Sequence, residues 1–424
     1  MINKKISKLL GPVLGIMGFM LTMGALEMPA LADDNVQAIS SYTSSTTSAA
    51  ATYKDYSVDI NKSVTQNGLK VTLEKATVTK HKLNAVIKVE STQPFDKTKN
   101  DNSIIQLLYG ETQRGSESMS TDFIDDQTLL ITIDQDTHDE EFPKSGNIRL
   151  DVVFPNYKVN IGMDANVDFS GSFNNIIEKD LSTKISGSDG TLNKLESDVL
   201  GTTVTYSEPQ KDHDDRYMDS SMILKVGDKM YKLRSSGSSS EDKVIKGRYE
   251  SKTATYDILK DQKDISLIPL TCNITWDEFR KTHENVNKKE DTNKETTNNV
   301  TYSKSFDFSD GSKGEIYNIE RNDNTVKVYC KGSSEKASLL MASSMSMYYN
   351  FTEGQVYYSN YDSDKHMSFY KDPNVALGYI VEFNDVEKDK SLDIISRDNI
   401  EQIDRYNLGS EIQISKKTID CIFL

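Results

Sequence analysis

The chain has 424 residues, 36% of them hydrophobic and 27% charged, and a formal net charge of −15. That length is more than one ordinary core fills, so several domains of roughly 100–200 residues are expected. The acidic balance repels phosphate backbones and argues against a nucleic-acid partner, and so polar a composition excludes a multi-span membrane protein.

The N-terminus is the first readable element. Lys4, Lys5 and Lys8 precede an apolar stretch from Leu9 to Leu26, and Pro29-Ala30-Leu31-Ala32 follows before Asp33. A basic start, an apolar segment and an Ala-x-Ala site make a secretory signal, with cleavage expected between Ala32 and Asp33. The stretch is also long enough to remain as an anchor, in which case Leu9–Leu26 would contact the membrane. Either way the rest of the chain is expected to be extracytoplasmic, secreted or anchored at the cell surface. Residues 33–52 are rich in Ser, Thr and Ala and read as a flexible linker.

From Tyr53 onward, alternation at period two announces strands with one buried face. Val58 and Ile60 lead to Asn67-Gly68, after which Leu69, Val71 and Leu73 alternate and Leu83, Ala85, Ile87 and Val89 answer. Leu129 to Ile133 and Ile148 to Phe154 supply later strands, and Ile104 to Tyr109 is either a strand or a buried helical turn. A second module carries a strand at Thr202 to Tyr206, a hairpin through Gly227-Asp228, a Ser/Gly-rich loop at Ser235 to Asp242, and closing strands to Leu270. Residues 283–300 have almost no apolar content and read as a polar linker. In the third module, Ile316 and Ile319 turn through Asn322-Asp323-Asn324 into Val326, Val328 and Cys330. Leu339 to Met347 reads as helical, and residues 412–424 read as a last strand on that module.

The chain has three Asx-Gly dipeptides, Asn67-Gly68, Asp189-Gly190 and Asp310-Gly311, spaced 122 and 121 positions apart. Such pairs mark tight turns because both residues tolerate positive φ. Each opens a pair of strands, so the spacing predicts one β module used three times. The expected fold is all-β: three tandem β-sandwich, immunoglobulin-like modules behind a signal or anchor segment. Their bounds are 53–175, 176–282 and 301–424, after the leader 1–32.

The stretch from Tyr53 to Ser91 resembles an extracytoplasmic family, domain-of-unknown-function family 4179, the outer module of membrane proteins related to Gram-positive anti-sigma factors. Asn61, Ser63, Val64, Asn67-Gly68, Val71-Thr72, Leu83, Val89 and Pro94-Phe95 carry the resemblance, which extends over about residues 15–175. Members that bind sigma factors have a helical cytoplasmic region before the membrane segment. Here only Met1 to Lys8 precede it, so a shared outer module is what the resemblance implies, and no catalytic residues carry over from it.

Chemistry is sparse. The histidines His81, His138, His213, His283 and His366 show no metal-ligand spacing, and neither a Gly-x-Ser-x-Gly elbow nor a phosphate loop occurs. Lys211 to Asp215 and Asp362-Ser363-Asp364 offer carboxylates but read as solvated loops. Ser240–Lys243 and Ser333–Lys336 match Ser-x-x-Lys only in Ser-rich loops. Cys272, Cys330 and Cys421 are too few for a disulfide framework and read as buried thiols, with a Cys272–Cys330 bridge between modules as the alternative. Trp276 is expected at a module junction. The third module is rich in aromatics, and Tyr348, Tyr349, Tyr357, Tyr358 and Tyr361 are the candidate surface for a glycan or a partner protein, against ordinary strand packing. The reading is a non-catalytic exported envelope protein without catalytic, metal or cofactor sites, its partner a protein or envelope glycan. The alternatives are a sensor arm of an anti-sigma-type system and an envelope glycan hydrolase.

Overall fold

Period-two alternation requires strands that bury one face, and the computed structural model shows how they pair. It describes residues 56–96, 103–110, 116–137, 140–210, 220–272, 293–308, 310–349, 361–396 and 405–415, with Thr275 and Glu278. The chain is mostly strand, in several antiparallel sheets, none of them closed. None of the described helices is long and apolar enough to cross a membrane.

The first module holds β1 (Val58–Gln66), β2 (Leu69–Val78), β3 (Lys82–Ser91), β4 (Ile104–Tyr109), β5 (Ser116–Phe123), β6 (Thr128–Asp136), β7 (Ser145–Phe154) and β8 (Val159–Asp168), followed by the short helix α1 (Ser170–Phe173). One sheet has the order β1-β2-β3-β6-β5 and faces a second, β4-β7-β8. Between them lie Leu69, Val71, Leu73, Ile87, Ile131 and Ile133, packed against Leu107, Ile148, Leu150 and Val152. These are the alternate positions of each strand, so burying one face also sets the register.

The second module holds β9 (Ile177–Lys184), β10 (Thr191–Asp198), β11 (Gly201–Pro209), β12 (Ser221–Val226), β13 (Lys229–Glu241), β14 (Val244–Ser251), helix α2 (Tyr256–Leu259) and β15 (Ile265–Cys272). The third holds β16 (Lys294–Thr297), β17 (Val300–Ser303), β18 (Ser305–Asp307), β19 (Lys313–Asn322), β20 (Thr325–Gly332), helix α3 (Glu335–Ser344), β21 (Met345–Tyr349), helix α4 (Ser363–His366), β22 (Met367–Lys371), β23 (Gly378–Phe383) and β24 (Leu392–Ser396). Two last strands, β25 (Tyr406–Leu408) and β26 (Ile412–Ser415), end the described chain.

The three larger sheets share one connectivity. The orders β1-β2-β3-β6-β5, β9-β10-β11-β14-β13 and β18-β19-β20-β23-β22 are the same arrangement, with the strand that follows the third of each order (β4, β12, β21) crossing to the opposite sheet. This is sandwich architecture. All three Asx-Gly pairs fall in the turn between the first and second strands. Only the first is a two-residue hairpin with both φ values positive, Asn67 at 48° and Gly68 at 80°. Gly311 has φ 79°, whereas in the second module the positive φ belongs to Gly187. A bulge recurs too. The second strand slips against the third in every module, between Leu73 and Lys75, Leu192 and Lys194, and Ile316 and Asn318.

Three expectations are corrected. Ser235 to Asp242 is not a loop: it lies largely within β13, which pairs with β14 from Arg234 to Glu241 through backbone bonds that need no apolar side chain. The polar linker ends earlier than residue 300, because β16 and β17 form a hairpin around Asn298 and Asn299, both at positive φ, and join β24 and β21 in the third module's second sheet. An edge strand that buries nothing carries no hydrophobic signature. The C-terminal segment does not close the third module, since β25 and β26 pair with β15 of the second. Leu339 to Met347 divides between α3, capped by Ser334 Oγ accepting from Ala337 N at 3.1 Å, and β21.

Charged side chains hold the first two modules together. Arg248 is ion-paired with Asp136 at 2.7 Å, and Lys252 donates to Asp134 at 3.0 Å, Lys80 to Glu178 at 3.1 Å, and Thr79 Oγ1 to Asp198 at 2.8 Å. The second and third modules meet differently. Ile223, Met230 and Leu270 of the second enter the third module's hydrophobic core, and Met230 pairs with Phe369. Arg234 adds an ion pair to Asp364 at 2.8 Å.

Candidate functional site on the outer face of the third module

Alternation along β20 sends Val326, Val328 and Cys330 inward, so Tyr329 faces outward, half-buried. On β22, Phe369 is fully buried and Tyr370 faces out. β23 runs between these strands, and its Ile380 pairs with both Tyr329 and Tyr370. The shared bulge adds a third ring. In the first module the extra residue of the second strand is Glu74 and in the second it is Asn193; in the third it is Tyr317. Bulges re-aim side chains, and this one brings Tyr317 within 6.0 Å of Tyr329, centroid to centroid, with the rings at 60°.

Hydrogen bonds fix these rings. Tyr317 Oη donates to Asp372 Oδ2 at 2.7 Å, and Lys331 Nζ lies 5.7 Å from the Tyr317 ring centroid. Burial, and after it the bond to Asp372, pushes the Tyr317 phenol well above its ordinary pKa. Burial and the neighbouring Glu320 push Tyr329 up to about 12. Burial also raises Tyr370, while Lys327 pulls it the other way. The bond from Tyr317 holds Asp372 below the usual carboxylate range. The phenols are therefore neutral hydroxyls at any physiological pH.

The row continues into a shallow cleft of about 280 Å³ formed by the β22–β23 hairpin and the start of α3. Glu335, Lys371, Asp372, Asn374 and Tyr379 line it. Glu335 Oε1 accepts from Lys371 Nζ at 2.7 Å and from Tyr379 Oη at 2.9 Å. Gly378 permits a close approach, because a Cβ there would stand 2.8 Å from Tyr317 Oη. The site thus combines flat apolar rings with carboxylate and amide groups at one end. The other modules lack this surface: no tyrosine occurs in the larger sheet of the first, and in the second Tyr206, Tyr231 and Tyr249 are buried.

Of the tyrosines singled out from sequence, Tyr349 and Tyr361 belong to the core, 9% and 6% exposed, so neither can offer a ring face to a ligand. They pack edge to face, 6.4 Å apart. Tyr361 Oη donates to the carbonyls of His366 and Asn384, and Tyr349 Oη accepts from Glu387 N at 3.1 Å. Tyr348 is half-buried on β21, away from the row. Tyr357, Tyr358, Ala32, Asp33, Leu9–Leu26, Trp276, Cys421, His138, His213, His283 and the run Lys211 to Asp215 lie outside the described residues. Aromatic density points to the stretch before β22, whereas Tyr317 and Tyr329 stand singly, the first between Ile316 and Asn318 and the second between Val328 and Cys330. The signal for Tyr329 was the parity of Val328 and Cys330; for Tyr317 only the bulge reveals it.

The remaining candidates have structural roles. Asp362 caps α4 by accepting from Asp364 N at 3.2 Å, and Asp364 is bound to Arg234. Ser240 and Lys243 stand at the tip of the β13–β14 hairpin, and Ser333 is exposed ahead of α3. His81 Nδ1 lies 3.1 Å from Glu140 O at the first module junction, and His366 Nδ1 lies 2.9 Å from Asp385 Oδ2. Cys272 and Cys330 are buried and form no disulfide. Among the described residues, no three His, Cys, Asp or Glu side chains gather closely enough to hold a metal ion.

Residues 2–91 match the model of the family Domain of unknown function (DUF4179). The matched segment runs from the N-terminus through β1, β2 and β3, and ends before the third module and its tyrosine row. No curated protein matches the chain. Among solved structures, the crystal structure of the conserved domain protein from Bacillus anthracis is similar at 17% identity and a TM-score of 0.40, over 51% of this chain and 78% of that one.

Proposed function

We propose that the chain is an exported, non-catalytic envelope protein whose third module binds uncharged polysaccharide on the Tyr317–Tyr329–Tyr370 face. The supporting observation is that row itself: of three sheets with one connectivity, only the third turns tyrosines outward, and it uses the shared bulge to add one. Tyrosine rings present an apolar face to sugar C–H groups, and the acceptors at Glu335, Asp372 and Asn374 suit sugar hydroxyls. Lysines pair with the carboxylates around the row, Lys331 with Glu315 and both Lys229 and Lys327 with Glu382, so the face offers no unpaired basic patch to draw a polyanionic glycan. The basic start, the apolar stretch and the Ala-x-Ala site support export.

The test is co-sedimentation of the purified protein with insoluble cell-wall glycan stripped of anionic polymers. Binding should survive protease treatment of the wall, vanish after muramidase treatment, and fall at least tenfold in the Tyr329→Ala/Tyr370→Ala variant. Wild-type affinity in that variant would overturn the proposal, and loss of binding after protease treatment would point to a protein partner.

A second reading has one observation in its favour. The family match begins at residue 2 and therefore includes Leu9–Leu26, which supports retention of that stretch as the anchor of a sensor arm. Mature protein beginning at Asp33 in the culture supernatant would exclude it.

A further inference from the structure

In the first module, β7 is flanked by β4 and β8, and β8 pairs along the whole of β7, from Ser145↔Asp168 to Phe154↔Val159. The corresponding strand of the second module is β15, flanked on one side by β12. Among the described residues, no strand that directly follows β15 fills the position that β8 fills in the first. β25 and β26 fill it instead, arriving from beyond the third module and pairing with β15 as Leu270↔Leu408 to Cys272↔Tyr406 and Ile265↔Ser415 to Leu267↔Ile412.

The substitute holds less firmly than the original. Its ladder is broken at Pro269, which has no N–H to give, and only Gly409 N bonds back to the Pro269 carbonyl, at 2.8 Å. It buries one side chain deeply, Ile414 at 8% exposed, while Leu408 remains 37% exposed. β8 follows β7 after the single turn Pro155–Tyr157 and so stays concentrated at its own edge. The last two strands reach β15 only after the whole third module, so no local turn holds them beside it, and their place depends on how that module docks through Ile223, Met230 and Leu270.

We infer that the edge of β15 held by β25 and β26 is a strand-acceptor site, and that it accepts the C-terminal strands of a second copy of this chain as well as its own. The pairing is β-augmentation: main-chain bonds supply the affinity and alternate apolar positions, Ile412 and Ile414, supply the register. Reciprocal exchange closes a two-fold dimer, and unreciprocated exchange links copies head to tail.

The pairing of native Cys272 with Tyr406 provides the test. All chains carry Cys421→Ser. One chain adds Tyr406→Cys and should close a disulfide within itself under glutathione buffer, reporting the tail in place. For exchange, a chain retaining Cys272 and Tyr406 is mixed with a size-tagged chain carrying Cys272→Ser and Tyr406→Cys. A covalent heterodimer whose yield rises with protein concentration is expected. Closure of the intramolecular bridge with no heterodimer at the highest concentration would overturn the exchange, and failure of that bridge would overturn the acceptor site itself. Should Tyr406→Cys fail to fold, Thr271→Cys and Asn407→Cys, the next pair in register, serve the same design.

Discussion

Tyr329 on β20 and Tyr370 on β22 stand opposite the same residue, Ile380 of the strand between them. Two strand spacings therefore separate the rings, about 9–10 Å. A ligand touching both must lie across the strands and be at least that long. Affinity for oligosaccharides should rise with chain length until both rings are covered and then level off. Calorimetric titration with a graded series checks this, and equal affinity for the monosaccharide and the longest member would contradict it.

Tyr349 and Tyr361 should behave in the opposite way. Their hydroxyls satisfy buried backbone groups, so Tyr349→Phe and Tyr361→Phe should each cost about 1 kcal/mol in denaturant unfolding. Tyr361→Ala should cost about 3–5 kcal/mol through the cavity it leaves. Glycan affinity of the folded Phe variants should equal that of wild type.

Arg248, 7% exposed, is bound to Asp136 at 2.7 Å and to Glu250 at 3.1 Å. Arg248→Ala leaves Asp136 and Glu250 facing each other across the first module junction and should cost roughly 3 kcal/mol or more. Arg248→Met with Asp136→Asn removes both members of the pair and should recover much of the loss, which a double-mutant cycle by urea unfolding will show.

Acid should loosen the same junction. Burial raises Asp134, but Lys252, Lys365 and Asn84 outweigh it, and its pKa is net lowered; Glu178 is lowered by Lys194 and then Lys80. A carboxylate depressed in the folded state stabilises the fold above its unfolded value, near pH 4, and that contribution is lost as pH falls through the folded value. Asp122, raised by burial, acts in the opposite sense and is relieved by protonation. Urea midpoints between pH 7 and pH 2 should fall mainly below about pH 4, and Asp134→Asn should flatten that fall.

Cys330 is fully buried, and burial raises its thiol pKa strongly. In a Cys421→Ser background, Cys330 should resist alkylation in the native protein and react only on unfolding. Rapid native labelling of Cys330, read by mass spectrometry, would show that the third module's core opens.

Strand positions were legible because inward residues such as Leu69, Val71 and Leu73 repeat at period two, and the threefold repetition was legible from its turns. What escaped was whatever buries little. β16 is polar throughout, the second half of β13 is mostly Ser and Gly, and the partner of Ile412 and Ile414 was a matter of topology that alternation cannot express. The outward tyrosine row escaped in part because density of aromatics measures how much ring a module has to bury, while outward facing is decided by parity and, at Tyr317, by one extra residue.

The pairing of β25 and β26 with β15 also bears on how the chain matures. A polypeptide is made from its N-terminus. The first module can finish as soon as Phe173 emerges. The second must wait until Ser415 has cleared the exit, by which time the third has had every opportunity to form. Order of emergence and order of completion are thus inverted for the last two modules, and any nascent chain arrested before its end presents an unfinished sheet to the quality-control machinery.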